Sequence, residues 1–245
     1  MDDKPQYDHI GSKYEEYAQT APLKRVERHN ISRLVGDVTD KRILDLACGT
    51  GYYTRWLKQY GAVEVIGVDI SPEMIRVAAQ QEEKEPLGIS YHVSDAGNLN
   101  PLGPFDLITA IWLFNNVQTQ SEMLRMFKST YENLIEGGRL AAYTTNPAYN
   151  IQKSNMTKYG IKITGDTFEK DRYVLTGEFL TDPPMGVTVY RWSQSIYEWA
   201  VKEAGFKEFT WQSSEVAPAE IEEFGKEYWQ DYYDNCIGIG LICLK

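Results

Sequence analysis

Gly49 and Gly51 stand in a run of small residues, Ala47-Cys48-Gly49-Thr50-Gly51, between the apolar stretch Ile43-Leu44-Asp45-Leu46 and a helical segment from Tyr52 to Tyr60. A glycine turn between a strand and a helix lets a ligand approach the backbone, while the helix start offers N–H groups and positive dipole potential. Alone the pattern is weak, because any tight turn of this kind favours glycine. Asp69 strengthens it. It lies 18 residues beyond Gly51 at the end of the strand-like run from Val63, where a carboxylate can accept hydrogen bonds from both hydroxyls of a ribose. Asp95 ends a third such run, and an acceptor there can hold the exocyclic amine of a purine. The chemistry implied is recognition of one nucleoside by the carboxyl ends of three strands. A dinucleotide is the competing ligand. Its turn usually reads G-x-G-x-x-G, whereas the third position here is Thr54, and no catalytic domain follows the sheet.

The elements that must position these groups follow from periodicity. Leu23, Val26, Ile31 and Leu34 lie at helical spacing, and residues 6–20 read as another short helix before them. Strands are expected at 41–46, 63–69, 89–93, 105–111 and 139–145. Ser71-Pro72 caps and starts a helix running to Lys84, Glu122 to Leu134 is a second helix, and Gly137-Gly138 is a turn. Strands alternating with helices predict a mostly parallel sheet covered on both faces. The rhythm breaks beyond Asn146. Tyr173 to Thr176 and Val187 to Tyr190 alternate around Pro183-Pro184 and Gly186, which predicts an antiparallel excursion. Helix 193–204 and strands at 206–211 and 237–244 complete the chain.

The 245 residues suffice for one elaborated domain, divided as a helical cap (1–40), a nucleoside-binding core (41–145), a lid insertion (146–192) and the remaining part of the sheet (193–245). With 35 acidic against 25 basic residues the net charge is -10, so no basic face is expected for nucleic acid. No run of eighteen apolar residues and no secretory signal pattern occurs, which makes the cytoplasm the expected location and a membrane partner unexpected. Cys48, Cys236 and Cys243 lack metal-ligand spacing, so neither zinc nor a disulfide framework is expected. The 17 Tyr and 6 Trp suggest a ring-lined pocket, with ordinary aromatic packing as the plainer reading.

Several segments, in order, resemble the motifs of class I S-adenosylmethionine-dependent methyltransferases. They are Leu44 to Gly51, Val68-Asp69-Ile70-Ser71 with Met74, Ser94-Asp95-Ala96, Phe105 to Ala110, and Leu134 to Leu140. Ala47 departs from the glycine common in the first motif. The resemblance implies a Rossmann-like α/β fold with a seven-stranded, mostly parallel sheet and a small antiparallel lid, and S-adenosyl-L-methionine as cofactor. It implies that Ala47, Gly49 and Gly51 lie along that cofactor and that Asp69 takes the ribose. Ile70 and Met74 would flank the adenine, Asp95 and Ala96 read its edge, and Ile111 touch the methionine portion. Tyr14 and Arg25, on the helices that fold over the cofactor in this family, would hold its carboxylate. A second set of segments looks similar to azapteridine N-methyltransferases of the toxoflavin type: Gln6-Tyr7-Asp8 with Tyr14-Glu15, Trp112 to Asn115, Thr181 to Pro184 with Tyr190 to Ser193, and Asn235-Cys236.

That second likeness implies N-methylation of a small, flat heteroaromatic acceptor in secondary metabolism. The alternatives are O- or C-methylation of another small molecule, or a non-catalytic nucleoside-binding relative. Tyr7, Trp112, Asn115, Tyr143, Tyr190 and Trp192 are the candidate acceptor contacts, and ordinary core packing is the competing role for Trp112, Tyr143, Tyr190 and Trp192. Arg25 has a solvated helix face as its competing role, Met74 has helix-to-sheet packing, and Asp45 is expected to brace the loop through backbone N–H groups. A general base is optional, because an acceptor of low pKa attacks already deprotonated. The places for one are Tyr7, His9, Asn115 and Asn116; His29 and His92 join no constellation.

Overall fold

The computed structural model describes residues 17, 20–153 and 155–245. Helix α1 (Pro22–Val35) starts at a proline, and its Leu23, Val26, Ile31 and Leu34 face inward, as the spacing predicts. The chain then alternates strand and helix: β1 (Arg42–Leu46), α2 (Tyr52–Gln59), β2 (Glu64–Asp69), α3 (Pro72–Lys84), β3 (Ser90–Val93), β4 (Phe105–Ile111), α4 (Gln120–Glu132) and β5 (Leu134–Thr145). Three strands of an insertion follow, β6 (Ile161–Glu169), β7 (Arg172–Phe179) and β8 (Met185–Arg191). The chain closes with α5 (Gln194–Ala204), β9 (Glu208–Gln212), α6 (Pro218–Phe224), α7 (Gln230–Asp234) and β10 (Gly238–Leu244).

The seven-stranded sheet has the order β3-β2-β1-β4-β5-β10-β9. Strands β1 to β5 pair in parallel, and β10 runs antiparallel to both β5 and β9. Strand side chains alternate between two apolar layers. Ile43 joins Ile31 and Leu34 of α1 and Leu57 of α2 on one face, whereas Leu44 and Leu46 join Phe127 of α4 and Val201 of α5 on the other. The order reverses direction between β1 and β4, so the carboxyl ends of these strands diverge around a crevice where ligands of such sheets bind.

The insertion is a separate antiparallel sheet, β6-β7-β8. Its β6 was not expected from the sequence: Gly165 and a register shift between Ile163 and Gly165 interrupt the alternation that would have revealed it. Likewise β5 begins at Leu134, ahead of the expected Gly137-Gly138 turn, because Phe105 pairs with Leu134 before a register irregularity in β4. Under the insertion lies a second apolar cluster, built from Leu175 and Val187 of its sheet, Leu23 and Val26 of α1, and Tyr149, Tyr159, Trp229 and Tyr232. Much of the aromatic content is therefore core packing; Tyr159, for example, stacks on Trp229 at 4.9 Å between ring centroids. No helix among the described residues is long and apolar enough to cross a membrane.

Candidate functional site

A cavity of about 760 Å³ opens at the carboxyl ends of β1 to β4, and the insertion reaches it through Thr188 and Tyr190. Its floor is the turn after β1. There the backbone takes positive φ at Ala47 (+55°), Gly49 (+55°) and Gly51 (+81°), which explains glycine at two of the three positions and shows Ala47 in a left-handed conformation that alanine adopts at a cost. Gly51 has a further constraint, since a Cβ there would lie 2.5 Å from the Tyr91 hydroxyl. Ala47 and Gly49 line the cavity; Gly51 does not.

Asp69 ends β2 at the same rim. The Gly49 N–H donates to its Oδ2 at 2.9 Å and the Ser71 N–H to its Oδ1 at 2.9 Å, which fixes the carboxylate at the mouth of the glycine turn. Ser71 also caps α3 by accepting the Met74 N–H at 3.2 Å. That cap places Met74, buried, beside Ile70, an exposed apolar side chain, and both line the cavity. Asp95 follows β3 and caps a short turn by accepting from the Gly97 N–H (2.8 Å) and Asn98 Nδ2 (2.7 Å); it and Ala96 line the cavity too.

Behind the floor, Asp45 braces the turn, through hydroxyls and not through the expected backbone N–H groups. Thr54 Oγ1 and Thr109 Oγ1 each donate to it at 2.7 Å, tying β1 to α2 and β4. Its burial pushes the carboxyl up to about 6, against the lowering effect of the two hydroxyls. Burial also raises the Cys48 thiol well above its ordinary value, so this cavity-lining thiol stays protonated.

Past β4, Ile111 and Trp112 line the cavity. Trp112 has φ +59°, and its main chain is held on both sides: its N–H donates to the Tyr143 carbonyl at 2.8 Å, and Asn116 Nδ2 donates to its carbonyl at 2.7 Å. Its ring meets Tyr143 edge-on at 5.1 Å.

Not every expected contact reaches the cavity. Arg25 points from α1 towards the opposite end of the chain, its Nε donating to Glu220 at 2.9 Å and its Nη1 to Glu223 at 2.9 Å, with the guanidinium over the Phe224 ring. One residue earlier on the helix, about 100° around it, the buried Lys24 lines the cavity instead and pairs with Glu27 at 2.8 Å. Tyr53, also at the wall, donates its hydroxyl to the same Glu27 oxygen at 2.8 Å. Tyr143 is buried off the cavity with its hydroxyl 2.9 Å from Ser214 Oγ. Trp192 is core, its Nε1 donating to the Val117 carbonyl at 3.0 Å, and Asn115 is 2% exposed and off the cavity. Tyr7, His9 and Tyr14 lie outside the described residues. His29 faces Glu215 at 3.2 Å and His92 is exposed on β3, both away from the cavity. Unanticipated wall residues come from the start of α4 and the segment before it: Gln118, Glu122, Arg125 and Met126. The Thr119…Glu122 spacing signals a helix start, and nothing in the sequence signals which way that start faces.

Comparison with known proteins supplies a family pattern for this geometry. Residues 43–138 match the methyltransferase domain family. Magnesium-protoporphyrin O-methyltransferase of Rhodobacter capsulatus is 42% identical over 82 residues, 33% of this chain and 36% of that protein. Demethylmenaquinone methyltransferase of Thermus thermophilus is 36% identical over 109 residues, 44% of this chain and 48% of that one. The chain thus spans about a third to a half of the length of the curated relatives it matches. Among solved structures, an S-adenosylmethionine-dependent methyltransferase from Mesorhizobium loti superposes with a TM-score of 0.65 at 20% identity, covering 90% of this chain and 98% of that one. The S-adenosylmethionine-bound amino pentose methyltransferase CalS10 from Micromonospora echinaspora does so with 0.64 at 15% identity, covering 96% and 97%. The fold is the Rossmann-like methyltransferase fold, and its β1-to-β5 segment carries the sequence pattern of the methyltransferase domain family.

Proposed function

We propose that this chain is an S-adenosyl-L-methionine-dependent methyltransferase acting on a small, flat heteroaromatic acceptor, with an azapteridine ring nitrogen as the methylated atom. The observation that carries the first half is the row of groups along one cavity: Asp95 and Ala96, then Asp69, then Ala47 and Gly49, then Ile111 and Trp112. They sit at the ends of four adjacent strands, three interstrand spacings apart or about 14 Å. That length fits an extended adenosyl sulfonium, and the three carboxylates at the nucleoside end and floor (Asp45, Asp69 and Asp95) suit a cationic ligand. The Asp69 carboxylate, oriented by the Gly49 and Ser71 N–H groups, is the acceptor for the ribose hydroxyls. Ile70 and Met74 supply apolar faces for a purine, and Lys24 takes the place expected of Arg25 as the basic group at the wall.

Bound there, S-adenosylmethionine supplies an electrophilic methyl group whose carbon–sulfur bond breaks as the acceptor's lone pair forms the new bond. The chain contributes alignment and a dry enclosure. Trp112 and Tyr190 provide aromatic surface beyond Ile111, where a flat acceptor would lie. The acceptor class rests on this surface together with the likeness of Trp112 to Asn115 and Tyr190 to Ser193 to azapteridine N-methyltransferases. A compact small molecule, with neither nucleic acid nor membrane as partner, and a cytoplasmic setting complete the proposal.

Titration calorimetry with S-adenosylmethionine tests it. Loss of charge-assisted hydrogen bonds of about 1.5–3 kcal/mol predicts roughly ten- to hundredfold weaker binding by Asp69→Ala. Absence of binding by the unaltered chain, or unchanged affinity in the variant, would overturn the reading.

A further inference from the structure

We infer that Asp171 and Arg172, where the β6–β7 turn enters β7, are positioning residues: together they clasp Tyr190 of β8 to the start of α4 and set the width of the cavity where the acceptor lies. The inference rests on the proposed methyl transfer and adds the device that holds one wall around its second substrate. Two parts of the cavity wall come from outside the seven-stranded sheet: Gln118, Glu122, Arg125 and Met126 from α4 and the residues before it, and Thr188 and Tyr190 from β8. A single carboxylate stands between them. Asp171 Oδ2 accepts from Nε2 of Gln120, the first residue of α4, at 2.8 Å, and Asp171 Oδ1 faces Arg172 Nη1 at 3.6 Å. The Arg172 guanidinium carbon in turn lies 4.7 Å from the centre of the Tyr190 ring and 5.6 Å from that of Trp192. Contacts therefore run from Gln120 through Asp171 and Arg172 to Tyr190, from one wall to the other, without passing through the seven-stranded sheet.

The backbone and the burial of the turn support the same reading. Glu169 pairs with Arg172, so Lys170 and Asp171 form a two-residue turn, and Lys170 takes φ +60°, a conformation that such turns ordinarily give to glycine or asparagine. The two residues after this strained one are those that touch α4 and β8. The Arg172 side chain is only 11% exposed, and its Nε is buried without a hydrogen-bond partner. An arginine at the end of an idle hairpin would keep its head in water. Here it lies against two rings, where attraction between cation and ring grows as water is excluded. The rings differ in how firmly they are held. Trp192 is buried and fixed by its Nε1 bond to the Val117 carbonyl, whereas Tyr190 is half-buried at the cavity, so Arg172 is anchored on the first and steadies the second. Release of the one carboxylate loosens this wall and leaves Asp69 and the glycine turn in place. An acceptor can then enter, and its methylated product leave, while the nucleoside stays bound.

The test compares Asp171→Ala with Asp171→Asn in the full chain. The Asp171 side chain is 38% exposed, so neither change threatens the fold, and the asparagine keeps an oxygen that accepts from Gln120. Amide hydrogen exchange in Asp171→Ala is expected to rise about three- to tenfold in both 118–126 and 185–191, to recover in Asp171→Asn, and to stay unchanged at 42–46 and 64–69. With ¹³C-labelled tyrosine, the Tyr190 ring resonance, assigned through Tyr190→Phe, is expected to move in Asp171→Ala and in Arg172→Met. Quinoxaline, a flat bicyclic heteroaromatic, is expected to shift the same resonance in the unaltered chain saturated with S-adenosylhomocysteine, and to bind about three- to tenfold more weakly to Asp171→Ala. S-adenosylhomocysteine affinity is expected to change less than about twofold in each variant of Asp171 and Arg172. Faster exchange confined to 168–173, equal effects of alanine and asparagine, or a Tyr190 resonance unmoved by Asp171→Ala or by quinoxaline would each overturn the inference. Failure of the underlying methyltransferase reading shows separately, as absence of S-adenosylmethionine and S-adenosylhomocysteine binding by the unaltered chain.

Discussion

Asp45 holds an ionisable group where the fold gives it almost no water, and the consequence is a pH dependence of opposite sign to that of most carboxylates. Its folded value is about 6 against an ordinary 3.8, burial being the main cause. Below pH 3.8 the group is protonated whether the chain is folded or not. Between 3.8 and 6 the unfolded chain sheds the proton first, so stability falls as pH rises through this window, by about 3 kcal/mol at 1.36 kcal/mol per unit, and stays reduced above it. Exposed carboxylates paired with cations, such as Glu73 with Arg76, shift downward and act in the reverse direction. Comparison with Asp45→Asn isolates the buried group. Urea unfolding at pH 4 and pH 7.5 is expected to show the variant gaining stability relative to the unaltered chain as pH rises; a difference independent of pH would contradict the assignment. How much of the site was legible also varies residue by residue. Asp69, Asp95 and the glycine turn were readable because strand ends and positive-φ turns leave signatures in residue type. Lys24 and Arg25 were not separable, since adjacent helical positions differ only by rotation, and only packing decides which faces the cavity. Asn115, Tyr143 and Trp192 are polar or aromatic groups near the right strands whose side chains turn into the core.

At the scale of elements, α4 shows how a local signal carries a consequence that the signal does not announce. Thr119 Oγ1 accepts the Glu122 N–H at 3.2 Å while Glu122 Oε2 accepts the Gln118 N–H at 2.8 Å, a reciprocal cap at the helix start. Gln118 and Glu122 both line the cavity, so the cap also fixes part of its wall. Removing the hydroxyl in Thr119→Ala is expected to cost about 1 kcal/mol in urea unfolding. A loss below about 0.3 kcal/mol would show that tertiary packing alone holds the turn. The alternation of strands and helices up to Thr145 was legible for the same local reasons: caps, periodicity and short turns. The insertion was only half legible, because β7 and β8 alternate cleanly, whereas β6 carries the bulge at Gly165 and a mostly polar sequence. Non-local pairing, which no short window displays, decides such a strand.

For the molecule as a whole, the sheet layers and the cluster beneath the insertion are distinct apolar cores, and the cavity is walled by the sheet side, with Tyr190 of β8 packed against the layer that holds Leu44 and Leu46. Arg191 ties the insertion together. It donates to both oxygens of Asp166 at 3.1 and 3.0 Å, donates to the Pro147 carbonyl at 3.1 Å, and lies 3.8 Å over the Tyr173 ring, so one side chain touches β6, β7 and the chain leaving β5. Side chains of both partners are only 10% and 9% exposed, so removing one leaves a buried charge uncompensated, at about 3–5 kcal/mol. That cost falls on the insertion, because among the described residues no such buried ion pair links it to β1 or β2. Arg191→Ala is therefore expected to raise amide hydrogen exchange across residues 161–191 by two orders of magnitude or more while leaving β1, β2 and β4 protected. Replacing both partners, as Arg191→Met with Asp166→Leu, removes the stranded charge and is expected to restore most of the protection. Exchange that rises equally in the insertion and in β1 would mean the two cores unfold as one unit, and the Tyr190 side of the cavity could then not loosen without loss of the strand-end side.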